Sequence, residues 1–154
     1  MASLTPTRTG AIRPALAPAL VLAALAGCTA GTTGAPTGGT NPALQLFDAV
    51  CVAEAPDLHE ATILAALRAA GEAPALPAAR PEIVEGRSCA LTVAGASPAT
   101  PAELQRLGQG FADRTGGHFA AIAPERVTLH TTSGTFTIES GTNGTDAVFR
   151  IAHN

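Results

Sequence analysis

Three runs decide the fold: Val127-Thr128-Leu129-His130-Thr131, Thr135-Phe136-Thr137-Ile138-Glu139-Ser140 and Ala147-Val148-Phe149-Arg150-Ile151-Ala152. Each alternates with a period of two. Val127 and Leu129, Phe136 and Ile138, and Phe149 and Ile151 fall on one face, and mostly polar residues fall on the other. Ser133-Gly134 turns the chain between the first two runs, and Gly141–Gly144 turns it between the second and third. Phe119–Ile122 supplies a further short strand before Pro124. One apolar and one polar face imply an antiparallel sheet covered by helices on one side. The expected fold is therefore a two-layer α+β domain, an antiparallel β-meander packed on one face by about three helices. The pattern leaves strand order open.

Moving back along the chain, Thr100-Pro101-Ala102-Glu103 is a strong helix start. Thr100 is the cap, Pro101 takes the first helical position, and Glu103 closes the box. Leu104, Leu107 and Phe111 mark the core face, and Gly116-Gly117 ends the helix. Gly108 and Gly110 weaken it by about 1 kcal/mol each, a cost consistent with close packing on the sheet. Before it, Arg87–Ala94 alternates Cys89, Leu91 and Val93 against Ser88, Ala90 and Thr92, which places Cys89 on the buried face. Glu82–Glu85 reads as a short edge strand, and Glu72–Pro81, with three prolines, as a loop.

Two helices come earlier. Asn41-Pro42 opens the first, with Asn41 as N-cap. Leu44, Phe47, Val50 and Cys51 share one face of it, and Pro56 ends the run. Asp57-Leu58-His59-Glu60 reads as a capping box with Asp57 as cap. It starts a second helix, Leu58–Ala70, with Ile63, Leu64 and Leu67 inward and Gly71 as its stop.

The first forty residues have a different composition. Thr29–Thr40 is uncharged and built from Thr, Gly, Ala and Pro. Such a segment cannot bury enough apolar surface to offset its ordering entropy, so it reads as a flexible spacer. Met1–Arg13 carries Arg8 and Arg13 and no acid. Ala15–Ala26 is apolar but too short to span a bilayer. Together they read as an export signal. Its end, Leu25-Ala26-Gly27-Cys28, resembles the lipobox of bacterial lipoproteins. That resemblance implies a diacylglyceryl group on the Cys28 thiol and cleavage just before it. The organisation expected is a signal peptide at 1–27, a lipidated cysteine and linker at 28–40, and a folded domain at 41–154. The implied location is the cell envelope, anchored by lipid, on the periplasmic face of the outer membrane if the host has two. Each buried methylene of such an anchor is worth about 0.8 kcal/mol.

The lipobox also bears on the cysteines. With Cys28 lipidated, Cys51 and Cys89 remain, and an even pair in an oxidising compartment reads as a disulfide. Closing that loop is worth about 4 kcal/mol in the chain-entropy model. Two buried free thiols are the alternative. The stretch Leu46-Phe47-Asp48-Ala49-Val50-Cys51…Pro56 also loosely resembles a diffuse set of small exported proteobacterial proteins, which adds mild support for the bond and carries no transferable function.

Composition narrows the function classes. The chain has no Lys; beyond the leader, seven Arg face twelve acids, a net charge near −5. That disfavours a nucleic-acid partner. The absence of Trp and Tyr argues against an aromatic carbohydrate groove or a base-stacking platform.

No residue set forms a known catalytic or metal motif. His59-Glu60 point apart on a helix, and Glu60 is accounted for by the capping box. His118, His130 and His153 lack metal spacing and read as surface residues. Ser88 and Ser97 lack a nucleophile elbow, and Ser133 and Ser140 sit before turn glycines. Asp113-Arg114 and Arg87 are candidates for local charge sites. Asn143-Gly144-Thr145 reads as a turn. No catalytic residue, cofactor or metal is assigned. The leading expectation is a non-enzymatic envelope module that binds or scaffolds a protein partner. The second is a small-molecule or lipid-binding module with a pocket between helices and sheet. The third is a small hydrolase in which His59 or His130 converges with a carboxylate and a hydroxyl.

Overall fold

The computed structural model describes residues 41–71 and 78–154. The export signal, Cys28 and the Thr-rich spacer lie outside the described residues, as does most of the Glu72–Pro81 loop. The described elements run α1 (Pro42–Phe47), a π-helical stretch (Asp48–Val52), α2 (Glu60–Gly71), β1 (Ala79–Val84), β2 (Ser88–Val93), α3 (Pro101–Thr115), β3 (His118–Ala123), β4 (Arg126–Thr131), β5 (Gly134–Asn143) and β6 (Asp146–His153). The strands form one six-stranded sheet in the order β1-β2-β6-β5-β4-β3. All neighbours are antiparallel. This is the expected α+β fold, with one addition. The β3–β6 meander is extended by the β1–β2 hairpin, because β2 docks on the free side of β6.

The alternation translates directly into burial. Val127, Leu129, Phe136, Ile138, Phe149, Ile151, Cys89, Leu91 and Val93 are all fully buried. Among the described residues, helices cover only this inner face. The first helical stretch lies over β2 and β6, and α3 lies over β3, β4 and β5. Phe47 stacks on Phe149 at 5.6 Å, and Phe111 meets Phe136 edge-on at 5.2 Å. Each buried Phe contributes about 1.5–3 kcal/mol of transfer free energy.

The helix starts follow the sequence in two cases out of three. Asn41 accepts from the N–H groups of Ala43 and Leu44 and caps α1. Thr100 and Glu103 form the full capping box of α3. Gly116, with φ of 64°, ends α3 in the left-handed conformation. Gly108 permits the close approach to the sheet: a Cβ there would sit 2.9 Å from the Phe119 ring and 3.0 Å from Val127.

The second helix departs from expectation. It begins at Glu60, not Leu58, and Asp57 does not cap it. Leu58 has a positive φ of 48° and is fully buried, so the chain dives into the core there before turning helical. Glu85, from the β1–β2 turn, accepts the Glu60 N–H at 2.7 Å instead. Among its expected inward residues Ile63 is fully buried, while Leu67 is half-buried against the core.

Other corrections are smaller. The first helix becomes π-helical at Asp48–Val52, with Val50 and Cys51 still fully buried. The edge strand starts at Ala79, earlier than Glu82, and carries Pro81 inside it; an edge strand tolerates a residue without an N–H. β5 runs on to Asn143, so only Gly144-Thr145 separates it from β6. Cys51 and Cys89 are disulfide-bonded, with Cα atoms 5.6 Å apart.

Candidate functional site

Among the described residues no helix covers the outer face of the sheet, and the strand register sorts its side chains into rows. One row runs Arg126, Glu139, Arg150 across β4, β5 and β6. Arg126 Nε donates to Glu139 Oε1 at 2.6 Å. Arg150, opposite Glu139 on the other side, makes no ion pair among the described residues. Beside this row the β5–β6 hairpin projects past the β3–β4 turn. Between them lies a shallow concavity of about 750 Å³, lined by Pro124, Arg126, Glu139, Gly141, Val148 and Arg150. Its lining holds two guanidinium groups, Arg126 and Arg150, and two carboxylates, Glu125 and Glu139, and Arg126 is already paired with Glu139. Guanidinium groups favour planar anions such as carboxylates.

A second row lies at the opposite end of the strands: His118, His130, Thr135 and Asn154. The His118 and His130 rings are 5.8 Å apart, and His130 Nδ1 lies 2.9 Å from the Thr135 hydroxyl. Linear spacing concealed this pair, because eleven intervening residues form a hairpin that folds His118 onto His130. Cross-strand register was the missing signal.

His59 Nδ1 pairs with Glu85 Oε1 at 2.8 Å, and both side chains are exposed. The hydrogen bond to Glu85 raises the His59 pKa above 6.5. The Glu60 N–H, and then His59, hold Glu85 below its usual 4.5. This is a carboxylate–imidazole pair at a helix start, and the nearby Thr62 hydroxyl donates to the His59 carbonyl instead of joining it. His59 thus meets a carboxylate without a free hydroxyl, while His130 meets a hydroxyl without a carboxylate. Among the described residues, the three-group convergence expected of a hydrolase does not form at either.

The remaining candidates resolve into structural roles. His153 is not a surface residue: it is half-buried and stacks on Phe136 at 4.6 Å. It occupies the space over Gly134, where a Cβ would fall 2.2 Å from its Nε2. Ser140 is not a turn residue either. It is buried in β5, and its hydroxyl accepts the Ala99 N–H at 2.8 Å, which fixes the approach to α3. Arg114 reaches Asp48 at 3.5 Å and Asp113 accepts from Gln109, so those neighbours form no joint site. Arg87 is exposed, and its carbonyl accepts the His153 N–H. The second expectation placed a pocket between helices and sheet; Phe47, Phe111, Phe136, Phe149 and their neighbours fill that space. Among the described residues no helix is long and apolar enough to cross a membrane. Compared with protein-family models, with curated proteins and with solved structures, the chain matches none.

Proposed function

We propose that the chain is an envelope lipoprotein, anchored through Cys28, whose folded domain binds a partner on the open face of its sheet. The observation that carries the binding part is the outer face itself: one face of a six-stranded sheet without a helical cover among the described residues, with a concavity at one end that presents the Arg150 guanidinium outside any ion pair of those residues. A partner presenting a carboxylate would pair with Arg150 and compete with Glu139 for Arg126. The anchor rests on Leu25-Ala26-Gly27-Cys28 and the run before it. The domain begins at Asn41, whose side chain donates to the Ser97 and Pro98 carbonyls. Gly95, in the same loop, donates to Asp146 at the start of β6.

Two measurements test this reading. Intact-mass analysis of the protein from its native host should show diacylglyceryl on Cys28 and loss of 1–27; an unlipidated chain retaining the leader refutes the anchor. A photo-crosslinking residue at Thr137 on the outer face should capture a specific protein in intact cells, and one at Gln109 on α3 should not. Equal capture at both positions refutes the outer-face site.

A further inference from the structure

From the cross-strand histidines we propose that His118 and His130 form a two-histidine site for a divalent first-row transition cation, of the Zn²⁺, Ni²⁺ or Cu²⁺ class. Both side chains are exposed on the outer face and stand directly opposite each other on β3 and β4. Their ring centroids are 5.8 Å apart with planes at 70°. Two imidazoles bound through nitrogen to one tetrahedral ion, at about 2.1 Å each, place their ring centres about 5.3 Å apart. A small side-chain rotation in solvent closes the difference.

The surroundings position these rings as ligands. Gly117 lets β3 start against β4: a Cβ there would fall 2.7 Å from the His130 carbonyl oxygen and 2.9 Å from the Thr131 methyl group. Without that contact distance His118 would not sit opposite His130. On the other side, His130 Nδ1 hydrogen-bonds the Thr135 hydroxyl. When Nδ1–H donates to it, Nε2 is left with a free lone pair, the arrangement that orients metal-bound histidines. The ring nitrogens of His118 have no hydrogen-bond partner among the described residues. Neutral imidazole suits this class of cation, whereas Mg²⁺ and Ca²⁺ require oxygen donors. Among the described residues no third His, Cys, Asp or Glu joins the pair. Water, or a donor group on a partner, would complete the coordination. β3 is an edge strand of the sheet and both histidines are exposed among the described residues, which leaves room for such a donor.

The test uses the full chain with Cys28→Ser, purified without a histidine tag, and Zn²⁺ titrated by calorimetry. One equivalent is expected to bind, with affinity reduced more than about tenfold by His118→Asn or His130→Asn and about tenfold by Thr135→Val. His59→Asn should leave it unchanged. Zn²⁺ affinity unaltered in both the His118 and His130 variants overturns the site. A measurement on the unsubstituted histidines guards against misfolded variants: substoichiometric Ni²⁺ should broaden the ring proton resonances of His118 and His130 before those of His59 and His153. Broadening that begins at His59, or is uniform over all four, overturns it as well.

Discussion

Over β2 and β6 the helical layer is thin, a six-residue α1 continued by five π-helical residues and tied to β2 by Cys51–Cys89. Over β3, β4 and β5 it is a fifteen-residue α3, capped at both ends, with no covalent tie. Helices below about 12–15 residues are marginal on their own. The bond therefore sits where the local sequence supplies least, and α3 relies on capping and close contact. Both halves bury Phe residues against the sheet, so the difference lies in how each helix is held, not in how apolar it is.

That contrast can be broken by experiment. The largest effect is expected from Phe111→Ala in the untied half, a loss of about 3–5 kcal/mol by urea denaturation. Replacing Cys51 and Cys89 together by Ala should cost about 4 kcal/mol in the same assay. Hydrogen exchange on that variant should show Leu44–Val52 amides losing protection before those of α3. Simultaneous loss in both halves would mean that the tie acts on the whole domain. Gly108→Val should destabilise by about 1–3 kcal/mol, because its branches must displace Phe119 and Val127. Thr100→Ala should cost about 1 kcal/mol, read as a lower melting temperature, by removing the α3 cap.

The smallest effect belongs to His59 and Glu85, which secure the start of α2. The raised His59 pKa gives stability that is complete below 6.5 and lost as pH rises through the raised value. The lowered Glu85 pKa gives stability that is complete above 4.5 and lost as pH falls through the lowered value. The pair is therefore most effective between pH 4.5 and 6.5, and its solvent exposure keeps the contribution small. Glu85→Gln should return the His59 titration, followed by NMR, toward 6.5. An unmoved titration would show that the pairing is not formed in solution.

The inner face of the sheet was legible in the sequence because one-sided burial imposes a period of two on Val127 through Ile151. The α3 start was legible because Thr100, Pro101 and Glu103 act within one turn. What escaped depends on residues distant in the chain. Glu85 displaces Asp57 as the partner of α2 from 25 residues beyond Glu60. Ser140 caps a loop 41 residues earlier. The histidine row, the arginine row and the docking of β2 on β6 arise only once register is set. The candidate site was accordingly far less legible than the fold.

The placement of β6 has a consequence for how the domain assembles. Last of the six strands in chain order, it lies between β2 and β5 and joins the hairpin to the meander. Cys89 finds Ile151 across about sixty intervening residues, and loops of that span are slow to close. As the chain is synthesised, β1, β2 and the first helical stretch have no wider sheet to rest on until Asp146–His153 arrives. The core is therefore completed late, only when the last strand closes the sheet between β2 and β5.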